Sequence, residues 1–309
     1  MKNLNDLSES FKRELVKLYS LPFPMVEYNF NYYTEFLNKQ YKTKEKFNSV
    51  FSFMASNNMN ENELLETVKD VKHMMVDTIK ALPEYQELVN FDTSDFKVTF
   101  NGSKQNVYKM NNAGKQYLSI DLVKANFQAM RFVNPKLVLD TDSFEDFCNK
   151  LPVPDFMLRM KKLRQYVFGN LEPKKQQKLQ KYFMSRLSEF LLENNFFSEE
   201  NMEGLNSDEL VICIDNYPDL DLKNLKDKLS QDDFLKQFDF HFEEFTLNLV
   251  HENHKFFKKD KKDGSFSLKN VPAGNTCEVL KYLYNEPVFE EDLMFFQDGR
   301  LAKYQKSLF

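Results

Sequence analysis

Histidine and cysteine, the side chains that bind zinc and form disulfides, are scarce in this chain. The sequence holds four histidines and three cysteines. They are His73, His241, His251, His254, Cys148, Cys213 and Cys277. The cysteines lie far apart without metal-ligand spacing, and their odd number does not fit a disulfide framework. We therefore expect a reducing compartment and a site built on carboxylates and hard cations rather than on zinc.

Long hydrophobic runs are also missing. No stretch approaches the ~20 apolar residues of a membrane span, and the N-terminus is polar and charged, unlike a signal sequence. The charge is nearly balanced, with 42 basic and 47 acidic residues. This balance argues against a protein that wraps nucleic acid with its whole surface, although it is compatible with a local basic groove. We expect a soluble, intracellular protein, cytoplasmic or encoded by a virus or phage, with no membrane partner.

Tryptophan is absent and glycine is rare, with seven residues, whereas phenylalanine is abundant, with 32. The phenylalanine excess is attributed to the base composition of the source genome. Because glycine is rare, each glycine is expected to mark a backbone requirement. At 309 residues the chain can form one large domain or two modest ones.

The first 92 residues are predicted to form a helical subdomain. Apolar residues recur at helical spacing from Leu4 to Leu18 and again from about Glu27 to Phe53. Asn60 followed by Glu63 is typical of a capping box, and it would begin a third helix that runs to Leu82.

Strand patterns begin after this subdomain. Residues 96–100 alternate, Asn101-Gly102 offers a tight turn, and residues 106–110 can return as a partner strand. Residues 116–121 form a further predicted strand that ends at Asp121, before an amphipathic stretch. An aspartate in that place is either an N-cap or a metal ligand.

The remaining chain alternates helical and strand patterns. Helices are predicted from Asp155 to Gly169, from Pro173 to about Asn194, from Leu220 to Leu229 and from Thr276 onwards. Strands are predicted at 208–214, 245–250, 254–258 and 265–271, the last two joined through a hairpin turn at Asp263-Gly264. Gly169 would stop its helix as a C-terminal cap.

Three short segments in the middle of the chain contain the candidate catalytic and nucleotide-binding residues. The first runs from the strand that ends at Asp121 to Asn134, the second is a basic helix that ends in Phe168-Gly169, and the third is Asn206-Ser-Asp208-Glu209 before a strand. Two carboxylates from different strands can hold a pair of divalent cations about 4 Å apart, while cationic side chains neutralise a triphosphate. The order of the segments predicts a nucleotidyl-transfer site.

This order resembles the palm and fingers of template-dependent DNA polymerases, particularly those of family B. In that family an aspartate ends a strand and an asparagine follows some positions later, and Asp121 and Asn134 fall in those two places. A basic helix with an aromatic-glycine end follows, and Arg164 and Phe168-Gly169 are similar to it.

The third segment completes the resemblance and also departs from it. The spacing between the second and third segments suits family B, whereas Asp208-Glu209 looks more like the family A version. Asn206 stands where the family has an acid, and Asn126-Phe127-Gln128 replaces an aromatic-Pro-Ser stretch. The likeness covers about residues 96–272 and leaves no room for an exonuclease domain.

The resemblance implies a polymerase-like nucleotidyltransferase that depends on Mg²⁺ or Mn²⁺. Its catalytic, metal-binding residues would be Asp121 and Asp208, with Glu209 as a further metal ligand. The nucleotide-binding residues would be Lys124, Lys161, Arg164 and Phe168. A hairpin that resembles the primer-contacting one of family B would bind nucleic acid through Lys255, Lys258 and Lys269. The implied partners are a primer-template and nucleoside triphosphates, alone or within a larger replication or transcription complex.

The fold class that follows is α+β. We expect an antiparallel palm-like sheet with packed helices, a helical N-terminal subdomain and a C-terminal hairpin plus helices. The predicted segments are 1–92 for the helical subdomain, 93–243 for the palm-like sheet with inserted fingers-like helices, and 244–309 for the hairpin and C-terminal helical region.

Each chosen residue also has a purely structural explanation. Asp121 taken alone is more often an N-cap, Phe168 is most simply a core residue, and a basic helix is usually a solvated face. Two other functions therefore stay open. One is a catalytically silent, palm-like subunit that binds nucleic acid or protein, which Asn206 and the short length favour. The other is a structural, virion-type protein whose Phe-rich surface packs against neighbours.

Overall fold

The structure, a computed structural model, describes residues 4, 7–99, 107–251, 253–297, 300–304 and 306–309. The chain divides into two compact units. The first, here called the helical unit, contains residues 1–80, 145–171 and 271–309, and the second, the sheet unit, contains residues 81–144 and 172–270. This grouping differs from the three predicted segments because two later stretches of chain belong with the N-terminal helices.

The elements alternate along the chain as an α+β fold, which is the predicted class at this coarse level. The helices are α1 (Glu9–Leu18), α2 (Phe30–Phe36), α3 (Asn38–Tyr41), α4 (Thr43–Ser56), α5 (Glu61–Ala81), α6 (Tyr85–Asn90), α7 (Ala125–Val133), α8 (Phe144–Asn149), α9 (Asp155–Leu158), α10 (Lys161–Gly169), α11 (Pro173–Glu193), α12 (Leu222–Leu229) and α13 (Thr276–Tyr284). The strands are β1 (Gln116–Leu122), β2 (Met202–Leu205), β3 (Glu209–Cys213), β4 (Phe240–His251), β5 (His254–Lys261), β6 (Phe266–Lys269), β7 (Met294–Gln297) and β8 (Arg300–Lys303). Among the described helices, none is long and apolar enough to cross a membrane.

The capping box predicted at Asn60 is confirmed at the start of α5. The backbone N–H of Glu63 donates to Asn60 Oδ1 at 3.0 Å, and the backbone N–H of Asn60 donates to Glu63 Oε2 at 2.7 Å. Two backbone donors that the helix itself cannot satisfy are thus paired reciprocally.

Two segments that were predicted to be continuous helices are interrupted in the structure. The run from Glu27 to Phe53 is broken into α2, α3 and α4, with Lys42 in the left-handed region at φ 52° between the last two. The predicted helix from Asp155 to Gly169 is divided into α9 and α10, since Met160 adopts an extended conformation with ψ 103°. Apolar spacing continues across both breaks, so periodicity alone does not show them.

The C-terminal stretch is less helical than predicted. Helix α13 ends before Asn285, which is left-handed at φ 55°, and β7 then pairs with β8. A fully buried ion pair fixes this stretch within the helical unit, because Lys281 Nζ lies 2.5 Å from Asp292 Oδ2. The hydroxyl of Tyr33 donates to the other oxygen of Asp292 at 2.7 Å. Burial of both charges is tolerable because each is paired and hydrogen-bonded.

The sheet unit is built on an antiparallel sheet of six strands in the order β2-β3-β1-β4-β5-β6. Leu118 and Ile120 of β1 and Ile212 of β3 are fully buried against the helices of this unit. Helices α7, α11 and α12 contribute apolar residues to the same cluster, including Ala129 and Phe183. One face of the sheet is therefore covered by helices, as expected for side chains that alternate along each strand.

The opposite face carries a smaller apolar cluster beside charged residues. Tyr117, Phe245 and Phe257 belong to this cluster, and Val107 packs on it. The strand register places Ser119, Asp121, Glu209, Glu243, Lys259 and Lys261 on the same side as Tyr117. We call this side the charged face.

The turn of the hairpin predicted around Asn101-Gly102 lies outside the described residues, which omit 100–106. The described parts, 96–99 and 107–110, form no strand, so the prediction is wrong there. The hydroxyl of Ser185 on α11 accepts from the Thr99 N–H at 2.8 Å and donates to the Thr99 carbonyl at 2.6 Å. The backbone of Thr99 is thus satisfied by a helix side chain rather than by a neighbouring strand.

Replacement of Asn60 by Ala should lower the free energy of unfolding by about 1 kcal/mol, because the first turn of α5 loses its cap. Chemical denaturation of the wild type and Asn60→Ala measures this difference. Asn62→Ala, two residues further along the same helix, is the matched control and should leave stability unchanged or slightly raised. Equal effects of the two substitutions would contradict the capping role.

Candidate active site on the charged face

The two predicted acidic segments meet at neighbouring strands. Strands β1 and β3 pair antiparallel, with Asp121 directly opposite Glu209. The N–H of Leu122 donates to the carbonyl of Asp208 at 2.8 Å, so the pairing continues one residue into the turn before β3. Asp121, Asp208 and Glu209 are each half-buried. Residues almost ninety positions apart are thereby brought to one end of the sheet.

The turn that carries Asp208 belongs to a tight hairpin. Strands β2 and β3 are joined by residues 206–208, and the N–H of Asn206 donates to the carbonyl of Glu209 at 2.8 Å. On the other side, β1 is followed by Lys124, which is left-handed at φ 50° and precedes the first residue of α7. Asp121 therefore lies at a strand end before a turn and a helix, which is the local arrangement the sequence predicts.

Glu209 is already engaged by two partners on the charged face. The hydroxyl of Ser119, a buried residue of β1, donates to Glu209 Oε1 at 2.5 Å. The ammonium of Lys259 lies 3.9 Å from the same oxygen. A short hydrogen bond from a hydroxyl fixes the orientation of the carboxylate that accepts it.

Glu243 of β4 has a lysine on each of its oxygens. Lys259 Nζ lies 2.5 Å from Oε1, and Lys261 Nζ lies 2.5 Å from Oε2. Burial alone would raise the pKa of Glu243, but the hydrogen bonds from Lys259 and Lys261 and their charges outweigh it and lower the pKa. Glu243 is therefore held in its ionised form.

Lys269 and Tyr108 border this network. Burial lowers the pKa of Lys269, and repulsion from Lys259 adds to the effect. The ammonium of Lys269 lies 5.4 Å from the centre of the Tyr108 ring, within the range of a cation–π contact. Burial raises the pKa of Tyr108, and the nearby charges of Glu209 and Glu243 raise it further.

The three predicted nucleic-acid-binding lysines do not share one face of the sheet. Lys269 pairs with Phe257 in register and lies on the charged face. Lys258 alternates to the helix-covered side, where its ammonium lies 3.1 Å from Asp260. Lys255 is exposed near the β4–β5 turn. Nucleic-acid binding by these three residues stays a prediction.

The predicted nucleotide-binding residues are divided between the units. Lys124 belongs to the sheet unit, whereas Lys161, Arg164 and Phe168 lie on α10 in the helical unit. Phe168 is fully buried, so its ring is a core element of that unit. Nucleotide binding by these residues stays a prediction.

The expectation that every glycine marks a backbone requirement is wrong for Gly169. It ends α10, but its φ lies outside the left-handed region, and an added Cβ would meet nothing within 4 Å. The expectation holds for Gly264, which has φ +80° in the turn between β5 and β6.

The positions of the described His, Cys, Asp and Glu side chains show which kinds of metal site the protein could form. Within the described ranges, no three His, Cys, Asp or Glu side chains form a group that could hold a metal ion. Mg²⁺ differs from zinc or calcium in that it is usually bound by one or two carboxylates together with substrate phosphates, not by a protein cage. The backbones of Asp121 and Asp208 lie at adjacent strand ends, and binding of a divalent cation by their carboxylates stays a prediction.

Sequence reasoning missed Ser119, Glu243 and Lys259. Only a weak signal pointed to Glu243. If the strand predicted at 245–250 is extended to residue 243, alternation places Glu243 on the same face as Phe245 and Leu247. No local signal identifies Lys259 among the lysines of residues 255–262, since its partners come from β3 and β4.

Replacement of Glu243 by Gln should lower the free energy of unfolding at neutral pH by about 3 kcal/mol, because Lys259 loses its nearest buried counter-charge. The pKa of Glu243 is lowered in the folded state. Its contribution to stability is therefore present above the unfolded-state pKa and is lost as pH falls through the folded-state pKa. The difference between wild type and Glu243→Gln should shrink between about pH 6 and pH 3.

Urea denaturation at a series of pH values measures this difference. Glu244→Gln is the matched control, because Glu244 lies on the opposite face and pairs with Lys262, whose side chain is 71% exposed. A loss of stability in Glu243→Gln that does not change with pH would contradict the inference that Glu243 is ionised and paired with Lys259 and Lys261.

Comparison with protein-family models, with curated proteins and with solved structures finds no match for this chain. The resemblance to family B polymerases accordingly stands on the three ordered segments. The antiparallel pairing of β1 with β3 adds a geometric observation that is independent of that resemblance.

Proposed function

We propose that this protein is a metal-dependent nucleotidyltransferase that extends or copies nucleic acid. The observation that carries the proposal is the pairing of β1 with β3, which sets Asp121 opposite Glu209 and beside Asp208. Its substrates would be nucleoside triphosphates and a primer-template. Mg²⁺ or Mn²⁺, when bound, would supply positive charge to the triphosphate and to the attacking hydroxyl.

Asp121 and Asp208 would bind the cation. They come from separate elements, a strand end and a hairpin turn, and the Leu122–Asp208 backbone hydrogen bond ties these elements together. Ile120 and Leu210 are fully buried on the helix side, which supports the placement of the adjacent Asp121 and Glu209 on the charged face.

The charged face offers cationic groups beside the acids. Lys269 lies on this face without a carboxylate within 4.0 Å among the residues that the structure describes. A half-buried ammonium of this kind is suited to a phosphate of the nucleic-acid backbone. Lys161 and Arg164, three positions apart on α10, are proposed for the triphosphate from the resemblance alone.

Replacement of Asp121 or Asp208 by Asn should reduce nucleotide incorporation by about a hundredfold or more, because the cation loses a charged ligand. Primer extension with purified protein in Mg²⁺ or Mn²⁺ measures the change. Glu244→Gln, on the other side of the sheet, should retain wild-type incorporation. Thermal melts establish that each variant is folded.

Incorporation that is unchanged in both Asp121→Asn and Asp208→Asn would reject the enzymatic proposal. If the intact protein incorporates no nucleotide, a second candidate stands, a catalytically silent subunit that binds nucleic acid or a protein partner. It is favoured by the carboxylates of Glu209 and Glu243, whose charges are balanced by Lys259 and Lys261. Filter binding of nucleic acid that survives loss of both aspartates, with no incorporation by the intact protein, would support this second candidate.

A further inference from the structure

The first half of α11 is strongly basic. Between Pro173 and Ser188 the helix carries five cationic residues and no acidic residue, and its first turn contains no acid. The backbone N–H groups at a helix N-terminus leave a partial positive charge there, so lysines in the first turn are unfavourable. Lysines four positions apart on a helix also repel one another. Helix stability therefore does not account for this placement of charge.

Two of the five cations have structural partners. The ammonium of Lys175 donates to the carbonyl of Leu88 at 3.1 Å and to that of Val89, both in the last turn of α6. Arg186 forms an ion pair with Glu189 at 2.6 Å. These contacts account for the presence of Lys175 and Arg186.

The other three cations, Lys174, Lys178 and Lys181, form one stripe on the helix surface. Their spacing of four and then three positions places them on the same face, about 6 and 4.5 Å apart along the helix axis. Lys174 and Lys181 are exposed, and Lys178 is half-buried. Across the described ranges, none of the three has a carboxylate within 4.0 Å. We call these three residues the α11 stripe.

Asp92 lies near the stripe but already has hydrogen-bond partners of its own. Its carboxylate accepts from the N–H and from the hydroxyl of Ser94, both at 2.8 Å. These bonds lower the pKa of Asp92, and the charges of Lys178 and Lys175 lower it further. Asp92 can balance at most one of the three ammonium groups, so the stripe keeps a positive charge.

The stripe borders the turn that carries Asp208. Gln177 is three positions after Lys174 and four before Lys181, so its side chain lies at the edge of the stripe. The amide Nε2 of Gln177 donates to the hydroxyl of Ser207 at 3.3 Å. Ser207 belongs to the turn between β2 and β3. The α11 stripe and this turn are therefore neighbours on the surface of the sheet unit.

We propose that the α11 stripe binds the phosphate backbone of a nucleic-acid strand. A row of unpaired ammonium groups matches the repeating negative charges of that backbone, and such contacts position a strand without reading its sequence. The class of partner rests on the proposed function, whereas the binding itself needs neither a metal ion nor nucleotide incorporation. Because the stripe borders the β2–β3 turn, a strand bound to it passes beside the candidate active site.

Fluorescence anisotropy with a labelled primer-template DNA of about 20 nucleotides, in metal-free buffer without nucleoside triphosphates, tests the proposal. The triple variant Lys174→Gln/Lys178→Gln/Lys181→Gln should weaken binding about tenfold or more at low salt. The slope of the logarithm of the affinity against the logarithm of the salt concentration should become shallower by about two to three, because three phosphate contacts are lost.

The matched control removes the same charge from lysines of the sheet unit that already have counter-charges. Lys136, Lys236 and Lys262 each form an ion pair with a carboxylate. The variant Lys136→Gln/Lys236→Gln/Lys262→Gln lowers the net charge equally, and it should leave the affinity within about twofold and the salt slope unchanged. Equal weakening by the two triple variants overturns the proposal, because net charge alone would then explain the loss.

Thermal melts separate loss of binding from loss of folding. Replacement of the stripe lysines removes repulsion within α11, so the triple variant should melt no lower than the native chain. If it does not fold, the single substitutions Lys174→Gln and Lys181→Gln, at exposed positions, replace it, and each should make the salt slope shallower by about one. An unchanged slope in both single variants would overturn the proposal.

The remaining outcomes separate this inference from the proposed function. Absence of DNA binding by the native chain overturns the inference and leaves the stripe to an acidic protein partner. Unchanged DNA binding by the stripe variant, together with loss of incorporation in Asp121→Asn, rejects the inference and supports the nucleotidyltransferase. Weakened binding by the stripe variant, with no incorporation by the native chain, supports the inference and rejects the enzyme.

Discussion

The antiparallel register between β1 and β3 is the constraint on which the candidate site depends. It sets Asp121 opposite Glu209, and the hydrogen bond from Leu122 extends the pairing to Asp208. Side chains alternate along a strand, so a slip of one residue would send Asp121 into the helix-covered core. The buried Ile120 beside it holds the register, because a slip would bury the carboxylate of Asp121 in its place within an apolar cluster. Packing of apolar residues on one face of the sheet thereby determines that Asp121 lies on the other face.

Charge balance is the second condition of the charged face. Several ionised groups gather there at partial burial, which is unfavourable unless each finds a counter-charge. Lys259 and Lys261 meet this requirement for Glu209 and Glu243 through contacts between different strands. Asp121 stands opposite Glu209 in this arrangement, so an additional cation bound there would lie next to a network that is already neutral.

Local patterns in the sequence predicted the elements that present the acids. The apolar run that ends at Asp121 predicted β1, the cap at Asn60 predicted the start of α5, and Pro173 predicted the start of α11. Each of these predictions depends on residues within one turn or one strand. The breaks at Lys42 and before α10 were not predictable in this way, since the apolar spacing continues through them. Backbone conformation there is decided by packing, which local spacing does not encode.

The partners of the site depend on long-range pairing and were predicted only in part. The resemblance to family B polymerases predicts Asp121 and Asp208 on adjacent strands, and the backbones of the two residues do meet where β1 ends and β3 begins. The contact of Lys259 with Glu209 joins β5 to β3 across two intervening strands, and no local spacing indicates it. Likewise, alternation shows that Lys258 and Lys259 face opposite sides, but only the register shows which of them meets the acids.

Anomalous diffraction from crystals of the protein soaked with Mn²⁺ tests the central claim most directly. We expect a manganese peak bound by the carboxylates of Asp121 and Asp208, with metal–oxygen distances of about 2.0–2.3 Å, and with Lys259 still paired to Glu209. The absence of a peak at Asp121 and Asp208 under saturating Mn²⁺ and nucleotide would contradict the account.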